Sequence, residues 1–328
     1  MSQESLVSVI IPTYNREHCI KRAIYSVLNQ NYKNTEIIVI DDCSQDKTEQ
    51  RVFECTKECN NIVYYRNVKN EGCAISRNIG VELSNGEYIA FLDDDDEYYP
   101  EKLSSHINVL NDYKSNNMDY DVLISGVSSY WIESKQKKGL DHRFAHYAKL
   151  YALFKGKCKQ IQHVDPNSVQ HNLKVGPNDD QGQKKDWIDI EFFPHRLFAS
   201  CNTLIKSSVF GKVSFRCDFM EWRDLAFQIY QAGFKVLLTN KSYVKENSLP
   251  VSQSKKYEAM LLQALENAQL YSVLTGDNKK AIFKKYLANC FKSYANYKLK
   301  QSCFKSALQN YIQSFQVDKN VKNLIPFL

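Results

Sequence analysis

The chain has 328 residues, 43% hydrophobic and 24% charged. That is the balance of an ordinary globular protein, long enough for one large α/β domain with an appendage or for two domains. The start, MSQESLVSVIIPTYN, lacks a basic segment leading into an apolar one, so it does not read as a signal peptide; no apolar run reaches about 18 residues, which excludes a spanning helix and leaves a cytoplasmic location as the expectation.

Taken in chain order, VSVII at 7–11 is short, β-branched and bounded by Pro12, as in a strand buried on both faces. Ile20, Ala23, Ile24, Val27 and Leu28 follow at helical spacing. EIIVI at 36–40 is a second strand ending at Asp41 and Asp42, 46–58 a helix and IVYYR at 62–66 a third strand. A helix at 73–84 leads to a fourth strand at 87–92, which runs into Asp93. This alternation predicts a doubly wound, mostly parallel sheet. Further on, 121–131 and 197–206 read as strands, 155–187 as a long polar loop or lid, 221–233 as a helix closed by Gly233, and 235–239 as a strand. From about 255 the chain reads as helices near 255–275, 278–297 and 300–316, with a break around Lys298. The expected division is 1–250 as the catalytic domain, split into 1–112 and 113–250, with 251–328 as a helical extension.

Ligands in such sheets bind beyond the carboxyl ends of the strands. Those ends carry Thr13-Tyr14-Asn15, Asp41-Asp42 and the run Asp93 to Asp96, all expected to line one crevice. Four consecutive carboxylates are costly without a compensating cation, and oxygen ligands suit Mg2+ or Mn2+ together with substrate phosphates. A solvated acidic turn in which Asp96 or Glu97 caps the helix beginning near Pro100 is the plainer alternative. Asn15 alone reads equally as a helix N-cap, and Ser44 and Asp46 as caps of the following helix. Arg77, on a helix with an apolar face, is placed to reach a phosphate. The ten cysteines are scattered, and Cys201, Cys290 and Cys303 lie in apolar runs, so buried free thiols are expected. Cys55 and Cys59 lack two further ligands for a zinc site.

Together VSVIIPTYNRE, IIVIDDCSQDKT, NEGCAISRNIG and GEYIAFLDDDDEYYP resemble the family 2 glycosyltransferases with the GT-A fold, most closely over residues 5–112. The resemblance implies transfer of a sugar from a nucleotide-sugar, with a UDP-sugar favoured, to a saccharide or lipid-linked saccharide acceptor in bacterial surface polysaccharide assembly. It implies a nucleotide site of Pro12, Thr13, Tyr14, Asn15, Asp42, Arg77, Asp93 and Asp94. Tyr14 and Asp42 would hold the base and Asp93 the ribose. Asp95 and Asp96 would hold Mn2+ or Mg2+. The catalytic base falls in Glu221-Trp222-Arg223-Asp224-Leu225, with Asp224 preferred in a W-R-D register and Glu221 the alternative. Two departures are noted: residues 240–256 hold no histidine, and the step from Asp224 to Gly233 is short. A nucleotide-sugar binder without transfer activity stays open, as does a sugar-phosphate nucleotidyltransferase, although PTYNRE has no glycine-rich phosphate loop.

The charge of +6 is uneven: residues 251–328 carry 12 Lys, no Arg and 4 acidic groups. The basic residues avoid the expected site and no nucleic-acid motif is present, so a nucleic-acid partner is not expected. Lys279, Lys280, Lys284, Lys285 and Lys292 suggest peripheral attraction to anionic lipid, with a structural cap or a homodimer surface as alternatives.

Overall fold

The computed structural model describes residues 4–57, 59–131, 162–164, 200–218, 221–248, 261, 262, 265, 277–300 and 302–318. Nine strands make one sheet in the order β3-β2-β1-β4-β8-β6-β9-β5, with β7 beside β9. The strands are β1 Val7–Thr13, β2 Thr35–Asp41, β3 Ile62–Arg66, β4 Tyr88–Phe91, β5 Glu97–Tyr98, β6 Val122–Trp131, β7 Gln162–Val164, β8 Thr203–Lys206 and β9 Val236–Ser248. β1 to β4 run parallel, and β8 is antiparallel to both β4 and β6. The helices are α1 Ile20–Leu28, α2 Thr48–Thr56, α3 Cys73–Leu83, α4 Lys102–Ser115, α5 Glu221–Gln231, α6 Asp277–Lys300 and α7 Phe304–Asp318.

Alternation along the central strands feeds two cores, one on each face of the sheet. Ile10, Ile38, Ile40, Ile89 and Phe91 face α3, α5 and α6. Val9, Ile11, Ile37, Val39, Ala90 and Leu92 face α1, α2 and α4. Burial on both faces is why these strands read as unbroken apolar runs. α3 lies close enough on β1 that a Cβ at Gly80 would collide with the Ile10 side chain. The stripe of α1 is buried as its spacing requires, through Ile20, Ala23, Ile24 and Val27.

Several elements differ from the sequence reading. Within 197–206, residues 200–202 form a 3-10 turn and the strand begins at Thr203. β9 extends to Ser248 because β6 stays paired with it from Val236 to Ser248 while β5 pairs with Val244 and Lys245, which a propensity reading of 235–239 misses. β5 is a two-residue strand paired with Lys245 and Val244 across the sheet and fastened to α1 by Tyr98 N donating to Ser26 Oγ. α6 runs through Lys298, and the break falls instead at 302–303, where Ser302 takes a left-handed φ of 58°. Cys303 sits at that turn and is exposed, not buried; Cys201 and Cys290 are buried free thiols as expected. Of the segment 155–187, only 162–164 are described, and they form β7; the remainder of the expected lid lies outside the described residues, as does most of the helix expected at 255–275.

Candidate active site

The order β3-β2-β1-β4 switches direction at β1, so a crevice opens beyond the carboxyl ends of β1 and β4. Tyr14 stands at the end of β1 with its side chain 43% exposed. Thr13 is buried beside Asp94. Asn15 does not cap α1, whose N-cap is Cys19. It adopts φ 53°, donates its N–H to Ser44 Oγ at 2.9 Å and accepts from Gln45 N through Oδ1 at 2.7 Å. Arg16 N donates to Thr48 Oγ1 and Glu17 N to Asp46 Oδ2, so the turns after β1 and β2 are fastened to each other.

Asp42 is buried and builds the wall opposite. Its Oδ1 accepts from Asn67 Nδ2 at 2.7 Å and Glu71 N at 2.8 Å, and its Oδ2 from Gly72 N at 2.9 Å. Two oxygens offer about four acceptor positions, so this carboxylate keeps capacity for roughly one further donor. Gly72 has φ 91°, and a Cβ there would strike the Asp218 carboxylate. Asp218 Oδ1 accepts from Ala74 N at 2.9 Å in the first turn of α3.

Arg77 is not the free cation expected from sequence. It is buried among the Phe215 and Trp222 rings, with Nη1 donating to Glu221 Oε1 and Nη2 to Asp93 Oδ1, both at 3.0 Å. Asp93 Oδ2 also accepts from Ser200 Oγ at 2.5 Å. Glu221 and Asp93, 128 positions apart in sequence, are therefore held by one guanidinium.

The acidic run alternates. Asp94 and Asp96 are buried, while Asp93 and Asp95 are partly open. Burial, reinforced by Asp95, pushes the Asp94 carboxyl up to about 7, against the pull of Arg16 at 3.3 Å. Burial and then Asp93 push Asp95 up to about 6. The capping alternative fails, because α4 has Glu101 at its N-cap and no side-chain cap bond. Among the described residues no three metal-ligating side chains converge. Mg2+ and Mn2+ sites of the nucleotide type need only one or two carboxylates besides phosphates and water, so crowded Asp95 beside Asp93 fits such an ion.

The two candidate bases separate on α5. Glu221, in the first turn, lies on Arg77, and burial raises its carboxyl above the usual range despite Arg77. Asp224, one turn on, is buried in a bidentate pair with Arg216 Nε at 2.8 Å and Nη2 at 2.5 Å, and it also accepts from Gln228 Nε2. Sequence reasoning missed Asp218, Ser200, Arg16 and Arg216. Arg16 lies within VSVIIPTYNRE but carries no sign there of its partner Asp94, and Asp218, Ser200 and Arg216 belong to none of the motifs; only the fold brings the four to their partners.

A mostly parallel α/β sheet with polar groups gathered at its switch point is the arrangement of the GT-A fold. Residues 8–171 match the model of glycosyl transferase family 2. An uncharacterized glycosyltransferase of Rickettsia typhi is 30% identical over 266 residues, 78% of this chain and 70% of the relative. The GalNAc(5)-diNAcBac-PP-undecaprenol beta-1,3-glucosyltransferase of Campylobacter jejuni is 26% identical over 97% of this chain and 91% of its own. Among solved structures, S. aureus TarS 1-349 in complex with UDP-GlcNAc superimposes with a TM-score of 0.62 at 19% identity, covering 96% of this chain and 83% of that one. The chain belongs to glycosyl transferase family 2.

Proposed function

We propose that the protein transfers a sugar from a nucleoside-diphosphate sugar to a hydroxyl of a saccharide or lipid-linked saccharide, in assembly of a surface polysaccharide. The observation that carries this reading is the Asp93–Arg77–Glu221 bridge, which sets a second-half carboxylate beside the acidic run at the β1/β4 crevice. A simple nucleotide binder would have no use for that carboxylate. Tyr14 offers a face for the base, and the remaining acceptor position of Asp42 suits a base or ribose N–H or O–H. UDP is the favoured nucleotide, in keeping with the UDP-GlcNAc held by the TarS structure. A lipid-linked acceptor is in keeping with the undecaprenol-linked substrate in the name of the Campylobacter relative.

In the proposed inverting displacement, a carboxylate of α5 takes the proton of the acceptor hydroxyl. The freed oxygen pair attacks the anomeric carbon, and the bond to the nucleoside diphosphate breaks with its electrons leaving on phosphate. Geometry favours Glu221 as that base, because it faces Asp93 and burial raises its proton affinity. Asp224 remains a second reading on its W-R-D register, but Arg216 holds both of its oxygens, whereas Arg77 holds one oxygen of Glu221. Asp95, with Asp96 behind it, would hold Mn2+ or Mg2+, which supplies positive charge for the departing diphosphate. Calorimetry with UDP and GDP, with and without Mn2+, tests the site. Asp95→Ala is expected to abolish the Mn2+-dependent part of the affinity with the fold intact, since it removes carboxylate repulsion from the apo protein. Unchanged affinity in that variant would remove the metal from the reading.

A further inference from the structure

α6 and α7 form a hairpin with a turn at 302–303, and its inner face is well packed. Ala295, Ala307 and Tyr311 are buried there, and Ser314 Oγ donates to Ala288 O at 2.7 Å. One flank of α7 is different. Phe304, Leu308 and Ile312 are 63%, 41% and 41% exposed and recur every four residues, which sets them in one stripe along the helix. A soluble surface tolerates single apolar residues, but an aligned stripe marks a contact site. The second observation is charge. From Asn278 to Val317 the chain carries 8 Lys and no Asp, Glu or Arg. Lys305 is exposed beside Phe304, and Lys298 Nζ lies 5.3 Å from the Tyr294 ring centroid.

We propose that this hairpin docks on an anionic lipid bilayer, with Phe304, Leu308 and Ile312 entering the boundary between headgroups and acyl chains and Lys298 and Lys305 meeting lipid phosphates. The chemistry selects this occupant over the others. A second copy would bring a lysine-rich hairpin, whose acids are Asp277 and Asp318 at its ends, against its own like charge. A nucleic acid would satisfy the lysines but offers no apolar phase for Phe304, Leu308 and Ile312. A bilayer supplies both, and an amphipathic helix of this kind gains from apolar burial and surface charge together. The inference rests on the proposed reading of a lipid-linked acceptor, which such docking would bring within reach of the crevice.

The test is co-sedimentation of the full chain with phosphatidylglycerol vesicles and with phosphatidylcholine vesicles, at low and raised salt, alongside UDP calorimetry. Pelleting is expected with phosphatidylglycerol alone and is expected to fall as salt rises. F304S/L308S/I312S and K298Q/K305Q are each expected to weaken vesicle affinity by about tenfold or more, with UDP affinity unchanged. If the serine variant loses UDP binding through misfolding, the glutamine variant decides. No pelleting, equal pelleting with phosphatidylcholine, or full binding by both variants overturns the proposal. So does a dimer in sedimentation velocity that the serine variant dissolves, or a DNA duplex that displaces the vesicles. Vesicle binding without any UDP binding would sink the transferase reading and leave the docking surface standing.

Discussion

Arg77 decides how the two carboxylates of α5 are to be told apart. Its guanidinium spends one nitrogen on Glu221 and one on Asp93, so the charge of Glu221 is tied to the site, whereas Asp224 answers to Arg216. Glu221→Gln is expected to keep UDP affinity and lose transfer by about 10²–10⁴-fold, the range for a general base. Asp224→Asn is expected to keep most turnover and to lower the melting temperature, because Arg216 loses a charged partner. Turnover surviving in Glu221→Gln but not in Asp224→Asn would reverse the assignment. A second residue-scale prediction concerns Lys102. It is wholly buried, its Nζ has no hydrogen-bond partner, and it lies 4.1 Å from the Tyr98 ring centroid. Burial lowers its pKa from 10.5 to about 7, with Cys201 pulling the other way. The unfolded chain therefore binds more protons than the native one between about 7 and 10.5, and stability rises with pH across that window. Below pH 7 the cost of a buried charge is fully present, on the order of a few kcal/mol. Lys102→Met, which keeps the length of the side chain, is expected to raise the melting temperature at pH 6 and to gain progressively less toward pH 10. A gain that did not shrink with pH would show that the pKa of Lys102 is not lowered in the native protein, since both states would then bind the proton equally.

α3 is the element that joins the halves of the site. Asn78 Nδ2 donates to Phe215 O at 2.8 Å, and Phe215 N donates to Asn78 Oδ1 at 3.0 Å. One turn earlier Asp218 caps Ala74, and between them Arg77 holds Glu221. Residues 215–218 are thus laid along α3, and Glu221 at the start of α5 is tied to the same helix. Asn78→Ala leaves the Phe215 N–H buried and unsatisfied at a cost of about 1–3 kcal/mol. It is expected to lower kcat while the UDP dissociation constant stays unchanged, because no nucleotide contact is lost. A weaker UDP affinity with normal kcat would place Asn78 at the nucleotide instead. The nucleotide half was readable in sequence because its signals are local. β1 and β2 are apolar runs with polar ends, α1 repeats at helical spacing, and the acidic run sits directly after β4. The second half was less readable because its order comes from distant pairing. β5 exists through β9, Ser200 matters through Asp93, and the choice between Glu221 and Asp224 depends on where Arg77 and Arg216 point. The W-R-D pattern could mark the helix but not its partners.

At the scale of the whole molecule the question is whether the C-terminal helices stand apart from the sheet. The basic composition of residues 251–328 suggests a separate extension. Packing argues otherwise, because Leu265, Leu287, Cys290 and Phe291 share one apolar cluster with Ile10 of β1, Phe91 of β4 and Trp222 of α5. Apolar surface buried in a common core couples the elements that bury it, so loosening α6 should loosen the sheet. Phe291→Ala would remove a large buried side chain from that cluster, and such truncations cost about 3–5 kcal/mol. If the core is continuous, the variant unfolds as one unit at lower temperature. Hydrogen exchange of the β1 amides at 7–13 then speeds up by the same factor as that of the α6 amides, since both exchange through the same global opening. UDP is expected to slow exchange in both regions together, because binding to the native state stabilises everything that unfolds with it. Faster exchange confined to α6, with β1 unchanged and UDP protecting only the sheet, would instead make the extension a domain of its own. The hairpin's contact with lipid would then have no mechanical link to the crevice.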